Sequence, residues 1–287
     1  MNKSEKIAIG TVQFGLDYGI SNNTGMVSFG KVSEILSYAK MKGIDCLDTA
    51  QAYNSEDVLG RIAVAKDFNI ISKFSDVDSP ISETFKSSLS LLNVNEIYGY
   101  LAHSFSIIEK NFEHYKKLIE FKREGLIHKI GVSLYHPEEA QYLLDRGIEV
   151  DLIQIPYSVF DQRFNAILPK LKEKGIEIHS RSTFLQGLIF LEIEKLHPYF
   201  YSVKNKLKDY HDFCSKIMLD ASAVALNFVI ANEYIDKVVL GITNVDELKI
   251  NLDALNYFEL VNDRIEELGD FKINDEKILL PYLWKIK

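Results

Sequence analysis

The chain has 287 residues, of which 47% are hydrophobic and 26% are charged, and its formal net charge is −8. This length allows one large core or two modest domains, and the composition is that of an ordinary soluble globular protein. The acidic balance and the scattered basic residues argue against a nucleic-acid partner, because phosphate binding needs clustered Lys and Arg.

The sequence also argues against three classes of protein: membrane proteins, secreted proteins and proteins built around a metal site. No stretch of about 18 residues is apolar enough to span a membrane, and the N-terminus does not resemble a signal peptide, so we expect a cytoplasmic protein. The two cysteines, Cys46 and Cys214, have no close partner of the CxxC type, which argues against structural zinc and a disulfide scaffold. The sequence leaves the oligomeric state open.

Short apolar strands alternate with amphipathic helices along the chain. The predicted strands cover residues 6–10, 44–48, 68–73, 97–103, 127–133, 151–156, 176–180 and 237–241. The predicted helices cover residues 29–42, 55–66, 81–92, 111–124, 137–146, 165–174, 199–217, 220–233 and 245–257.

This alternation predicts an α/β fold. The strands lack a strict polar–apolar alternation, which is typical of a parallel sheet covered on both faces. Eight such units match a closed (β/α)8 TIM barrel, which we expect to be a single domain over residues 1–287. It would have an extra helix before the last strand and a C-terminal tail. The alternative is a doubly wound open sheet, but no Gly-x-Gly-x-x-Gly or P-loop follows any strand.

Polar residues stand at the ends of three consecutive predicted strands. Asp48 ends the second strand and Tyr53 follows it, whereas Lys73 ends the third and His103 the fourth. Alone, each residue is more often a helix cap, a rim aromatic, a solvated lysine or a structural hydrogen-bond partner. A barrel of this type carries its chemistry at the C-terminal ends of the strands, so the fold would bring all four to one rim.

These four residue types together suit proton donation to a carbonyl. A free tyrosine has a pKa of about 10, and a neighbouring ammonium lowers it. We expect Lys73, held by Asp48, to act on Tyr53 in this way. His103 would orient a carbonyl oxygen toward Tyr53, and hydride delivery from a nicotinamide is the natural partner reaction.

With these residues in this order, the chain resembles the aldo/keto reductases, which are (β/α)8 oxidoreductases that use NADPH or NADH without a metal. The resemblance implies catalytic roles for Asp48, Tyr53, Lys73 and His103. It also implies that a small-molecule aldehyde or ketone is reduced, with Tyr53 as the proton donor. The segment 181–187 resembles that of bacterial relatives associated with surface-polysaccharide sugars, so a sugar-derived carbonyl is one candidate.

The same resemblance implies a set of cofactor contacts along the rim. They are Gly10, Thr11, Val12, Ser133, Gln154, Arg181, Phe184, Leu185, Gln186, Gly187, Gly241, Thr243, Asn244, Glu247 and Asn251. Arg181 stands where the family often has a tyrosine, and could stack on the nicotinamide or reach a phosphate or carboxylate. Glu247 stands in a segment where NADPH-preferring members offer Lys or Arg, so NADP(H) and NAD(H) both stay open.

The substrate pocket is expected on the loops above the barrel. Its candidate residues are Phe14, Tyr18, Tyr135, Tyr157, Phe160 and Arg163, of which Phe14 and Tyr157 are our predicted substrate contacts. Arg163 and Arg181 could recognise an anionic substrate. A non-catalytic member of the fold that binds a nucleotide and regulates a partner is the alternative. A metal-dependent hydrolase is a third option, but the sequence lacks the clusters of His and carboxylate residues that would bind its metal.

Overall fold

The computed structural model describes residues 3–20, 22, 25–75, 78–284 and 286. Their strands form a closed parallel barrel in sequence order, with the first strand paired to the last. The strands are β1 (Ile7–Gly10), β2 (Cys46–Asp48), β3 (Asn69–Phe74), β4 (Ile97–Ala102), β5 (Ile127–Ser133), β6 (Leu152–Pro156), β7 (Glu177–Arg181) and β8 (Lys237–Gly241). The predicted (β/α)8 barrel is therefore confirmed, and the doubly wound sheet is wrong.

Helices connect the strands and cover the outside of the barrel. The α-helices are α1 (Val12–Gly15), α2 (Phe29–Met41), α3 (Glu56–Gly60), α4 (Ile81–Leu92), α5 (Phe105–Lys110), α6 (Phe112–Arg123), α7 (Pro137–Asp145), α8 (Leu168–Glu173), α9 (Lys204–Lys216), α10 (Ala221–Ala231), α11 (Val245–Ala254), α12 (Phe258–Asn262), α13 (Ile265–Gly269) and α14 (Glu276–Leu279). The 3₁₀ turns are Lys3–Lys6, Gln51–Tyr53, Ala63–Asp67, Leu185–Phe190, Ile193–Lys195, Pro198–Val203, Leu255–Tyr257 and Pro281–Leu283.

Several of these elements differ from the predicted helices, and α1, α12, α13 and α14 were not predicted. The predicted helix 55–66 ends at Gly60 and continues as the 3₁₀ turn Ala63–Asp67. Gly60 lies so close to α4 that an added Cβ would stand 1.9 Å from the Leu91 carbonyl oxygen. Helix α5 was not predicted, because its six residues are too few to show a helical period.

The predicted extra helix before the last strand is present as α10, next to α9. Helix α10 is buried along eight consecutive residues from Ala223 to Ile230, so it has no polar face. Among the described residues, no single helix is both long and apolar enough to cross a membrane. Only Pro198–Lys216 and Ala221–Ala231 reach that length and hydropathy together, across a bend of 93°.

The inside of the barrel is filled with side chains. Ala8, Cys46, Ile71, Leu101 and Leu152 form a separate buried cluster there, and both Cys46 and Cys214 are buried free thiols. Gly131 allows β5 and β6 to approach, because an added Cβ would stand 1.7 Å from the Leu152 carbonyl oxygen. A filled interior leaves the rim as the place for a ligand.

The C-terminal tail folds back onto the barrel. Leu279 and Leu280 are at most 1% exposed. Trp284 packs edge-on against Phe200 with ring centroids 4.9 Å apart, and its indole N–H donates to the Ile278 carbonyl at 3.0 Å. Tyr282 lies 4.8 Å from the Tyr135 ring. The tail therefore packs on the core and also reaches the rim through Tyr282.

Candidate active site

A cleft of about 680 Å³ opens at the C-terminal ends of the strands. It runs from Asp48, Tyr53 and His103 at one end to Asn244, Glu247 and Asn251 in the segment after β8. This volume lies in the usual range of small-molecule and cofactor sites, roughly 300–1,000 Å³.

A buried ion pair supports one end of the cleft. The Lys73 ammonium donates to both Asp48 carboxylate oxygens, at 2.7 and 2.8 Å, and to the Thr49 carbonyl at 2.9 Å. Gln154 donates to Asp48 Oδ2 at 2.6 Å. Lys73 is 0% and Asp48 3% exposed, so the surroundings exclude water from the pair and fix its geometry. Lys73 lies behind Asp48 and is not among the residues that line the cleft.

Tyr53 and His103 stand in front of this pair. Their rings are 5.5 Å apart and nearly perpendicular, at 81°, and Lys73 Nζ is 5.2 Å from the centre of the Tyr53 ring. The four predicted catalytic residues thus come together from the ends of β2, β3 and β4 and the turn after β2. Such a group can hold a carbonyl oxygen and give it a proton.

Burial raises the pKa of Tyr53 above its ordinary value, and the Asp48 carboxylate raises it further. This direction is opposite to the lowering that we expected from Lys73. The reason is that the Asp48 carboxylate is bonded to Lys73 and offsets its charge, while burial lowers the pKa of Lys73 itself. Tyr53 is therefore a neutral phenol that holds its proton at neutral pH.

Burial lowers the pKa of His103 to about 4, and the charge of Lys73 acts in the same direction. The imidazole is consequently neutral at pH 7. A neutral imidazole donates one hydrogen bond and accepts another, so His103 can donate to a carbonyl oxygen without carrying a charge.

The far end of the cleft is shaped by the start of α11. Asn244 Oδ1 accepts from the Glu247 backbone N–H at 2.9 Å, and the Glu247 carboxylate accepts from the Thr243 N–H and hydroxyl, both at 2.7 Å. Gly241 lets the Gln13 side chain approach the backbone at the end of β8, since an added Cβ would stand 2.6 Å from the Gln13 amide nitrogen. The carboxylate of Glu247 is thus held in place and keeps this end of the cleft acidic.

The segment after β7 crosses the cleft in an unusual backbone conformation. Ser182, Leu185, Gln186 and Gly187 have φ angles of 64°, 44°, 53° and 96°, which are left-handed values that cost energy in residues other than glycine. Gln186 donates from its side chain to the Tyr18 hydroxyl at 2.6 Å, and its carbonyl accepts from the Ile20 N–H at 3.1 Å. This segment and residues 18–20 are therefore joined at the cleft, and together they are called the strap.

Most of the predicted cofactor residues line the cleft. They are Gly10, Thr11, Val12, Ser133, Gln154, Arg181, Phe184, Gln186, Gly187, Gly241, Thr243, Asn244, Glu247 and Asn251. Leu185 does not, because its side chain is 0% exposed and belongs to the hydrophobic core.

The two predicted substrate contacts do not line the cleft. Phe14 is 1% exposed within the core, and Tyr157 is 3% exposed and stacks on Phe228. Phe160 is also a core residue, and Arg163 pairs with Asp161 at 2.7 Å and with Glu276 at 3.0 Å. The structure corrects these assignments, because the loops turn these side chains into the core or toward other charges. Tyr18 and Tyr135 are the candidates that do line the cleft.

Other lining residues were missed in the sequence. They are Gln13, Gly19, Asn22, Ser182, Thr183, Phe190, Ser222, Val239, Leu240 and Ile250. Among them, Ser182 and Thr183 follow directly after β7 and could have been found there. Ser222 and Ile250 lie on helices α10 and α11, where nothing in the local sequence indicates a cleft.

Comparison with known proteins agrees with this geometry. A family profile described as "Aldo/keto reductase family" matches residues 6–272. L-galactose dehydrogenase of Arabidopsis thaliana is 26% identical over 288 residues, covering 97% of this chain and 86% of that protein. NADH-specific methylglyoxal reductase of Escherichia coli is 25% identical over 259 residues, covering 75% and 79%.

A solved structure shows the same fold. It is the aldo-keto reductase AKR11C1 from Bacillus halodurans in its holo form, with a TM-score of 0.74 and 22% identity, covering 92% of this chain and 91% of that one. The family match spans nearly the whole chain. The chain therefore belongs to the aldo/keto reductase family and is an NAD(P)H-dependent oxidoreductase.

Proposed function

We propose that the protein reduces an aldehyde or ketone with NADH as cofactor and Tyr53 as proton donor. The observation that carries the proposal is the convergence of Tyr53, His103 and the buried Asp48–Lys73 pair at one end of the cleft.

The residues of the cleft suit a dinucleotide. Gln13 Oε1 and Thr183 Oγ1 line the cleft, are buried and have no partner within the described part of the chain, so each can bond a polar ligand. Asn244 and Asn251 would hold the adenosine half, whereas Ser133 and Gln154 would hold the nicotinamide amide. The bound cofactor supplies a hydride to the carbonyl carbon.

The side chains at the reacting end have separate tasks. His103, which is neutral, donates to the substrate oxygen and orients it. Tyr53 gives its proton to that oxygen as negative charge grows there. The buried Asp48–Lys73 pair lies behind Tyr53 and fixes the surroundings of the phenol. Burial strengthens each of these interactions, because charges interact more strongly in a low dielectric.

Substitution of Tyr53 by Phe tests the proton donor. We expect kcat to fall by about 10²- to 10⁴-fold, which is the usual contribution of a general acid, while NADH binding measured by fluorescence titration stays the same. His103→Gln is the matched variant, and it should raise KM as well, since it loses an orienting contact. Full turnover by Tyr53→Phe would show that the proton comes from another group.

Charge at the far end of the cleft favours NADH over NADPH. Among the described residues that line the cleft, Glu247 carries a negative charge at this end. The only Lys or Arg among them is Arg181, which lies at the end of β7 and not in this segment. Lys249 is exposed and pairs with Asp246 at 2.9 Å. A 2′-phosphate placed here would meet a carboxylate and no cation. The relative named as NADH-specific fits this reading.

Titration with the two cofactors tests this preference. We expect NADH to bind at least about tenfold more tightly than NADPH, a difference of about 1.4 kcal/mol. Ile250 lines the cleft and is 57% exposed, so Ile250→Arg adds a cation there and should improve NADPH binding while changing NADH binding little. Tighter binding of NADPH by the unaltered protein would contradict the proposal.

A further inference from the structure

Arg181 is the only Lys or Arg that lines the described cleft, and no ion pair joins it to a described carboxylate. Several other half-buried or buried cations of the barrel have one: Lys73 pairs with Asp48, Arg163 with Asp161 and Lys172 with Asp236. A desolvated cation without an acid is costly unless a partner arrives. Arg181 is therefore a cation of the cleft whose counterion is not among the described residues.

The guanidinium is fixed, but its hydrogen bonds are only partly used. Nη2 donates to the Leu134 carbonyl at 3.1 Å, and Nη1 lies 3.4 Å from the Ser182 hydroxyl. The group lies over the Tyr135 ring, 4.3 Å from its centre, and Tyr135 is braced on its side by Tyr282. The remaining guanidinium N–H groups have no hydrogen bond to a described residue, so they are available to donate to an acceptor on a ligand.

The position of Arg181 relates it to the reacting end of the cleft. Its contacts, Leu134 and Tyr135, follow β5, whereas the acidic end of the cleft follows β8. Its charge is close enough to lower the pKa values of both Tyr53 and His103, against the larger effect of burial on Tyr53. An anion bound to Arg181 would lie beside these two residues.

We propose that Arg181 binds a carboxylate of the substrate, so that the substrate class is oxo acids whose carbonyl lies close to their carboxylate. One planar guanidinium matches one carboxylate in charge and in shape. The inference rests on the proposed function. The oxo acid gains a hydride from NADH at carbon and a proton from Tyr53 at oxygen, which gives a hydroxy acid and NAD⁺.

Paired substrates test the inference. Pyruvate and succinic semialdehyde are compared with methyl pyruvate and the methyl ester of succinic semialdehyde, which keep the carbonyl and lose the charge. We expect the better acid to exceed its ester in kcat/KM by about 30-fold or more, since truncating one partner of a buried charge pair commonly costs that much. Arg181→Gln should collapse this ratio toward one, and Arg181→Lys should restore part of it. Arg146→Gln, which removes an exposed arginine outside the cleft, should leave the ratio as it is.

A binding measurement separates the substrate role from a cofactor role. Oxamate, which resembles a 2-oxo acid but is not reduced, is titrated calorimetrically into the NADH-bound protein. We expect it to bind, and to bind at least tenfold more weakly to Arg181→Gln. Equal kcat/KM for acids and esters, or loss of NADH affinity in Arg181→Gln with no oxamate binding to either protein, would overturn the inference.

These outcomes also distinguish the two proposals. Esters reduced as well as acids, with Tyr53→Phe inactive on both, would leave the proposed function in place and remove the carboxylate site. Oxamate binding that depends on Arg181, in a protein that reduces none of the carbonyls, would support the carboxylate site and contradict the proposed reduction.

Discussion

At the scale of the residue, burial sets the charge of the two groups that we propose act on the substrate. Tyr53 has a raised pKa, and the pKa of His103 falls to about 4. His103 is thus neutral at every pH above roughly 5, and Tyr53 keeps its proton to beyond about pH 9.

This pair of shifts predicts a flat pH profile. We expect kcat/KM to vary less than about threefold between roughly pH 5.5 and 9, because neither group changes charge in that window. The measurement uses a neutral carbonyl, so that substrate ionisation does not contribute. A rate that rises or falls about a midpoint near the ordinary histidine pKa of about 6.5 would contradict the assigned state of His103.

The sequence predicts the position of the reacting groups better than their ionisation. Asp48, Lys73 and His103 are found from strand ends alone, because a closed barrel brings successive ends together. The pKa of Tyr53 depends on burial and on the pairing of Asp48 with Lys73, which are three-dimensional properties. Phe14 was misassigned for the same kind of reason, since a short helix after β1 turns its ring into the core.

At the scale of the element, the strap over the cleft combines backbone strain with a single side-chain bond. Ser182, Leu185 and Gln186 are left-handed without being glycine, and nothing in the local sequence shows this. The bond from Gln186 to Tyr18 joins two residues that line the cleft. Burial raises the pKa of Tyr18 to about 12, so its hydroxyl is present at any working pH. We infer that the strap controls how fast the cofactor leaves.

Loss of the strap bond predicts faster release. Gln186→Ala should increase the dissociation rate of NADH by about 2- to 10-fold, the equivalent of one ordinary hydrogen bond, as measured by stopped-flow fluorescence. Tyr18→Phe removes the same bond from the other side and should give a similar rate, with no further increase in the double variant. Independent, additive effects of the two changes would show that the bond is not what holds the strap.

At the scale of the whole molecule, the tail belongs to the folded core. Ile278 and Leu279 lie in the same buried cluster as the outer faces of the strands, and Trp284 packs against it. The chain has one tryptophan, so its fluorescence reports the docking of the tail alone.

This predicts one cooperative unfolding transition. Tryptophan fluorescence and far-UV circular dichroism should give the same midpoint in urea, because the tail cannot leave without exposing the cluster. Leu279→Ala should lower the free energy of unfolding by about 2–5 kcal/mol and shift both midpoints together. A fluorescence transition at lower urea than the loss of secondary structure would show that the tail undocks by itself.

The architecture was predictable from the sequence, since eight strand–helix units leave few alternatives. The tail contact with Tyr135 was not, because it joins residues distant in sequence through a non-repeating segment. The same holds for the cleft residues Ser222 and Ile250. Periodicity locates elements, whereas the position of a loop side chain depends on neighbours that only the closed barrel supplies.

The burial of both thiols has a practical consequence. Burial raises the pKa values of Cys46 and Cys214, the latter to about 11, so neither presents a thiolate to reagents or oxidants in the folded protein. A cysteine introduced at Tyr282, which is 58% exposed at the mouth of the cleft, would be the one site that a maleimide dye labels. The tail can thus be labelled at one site without first removing the native cysteines.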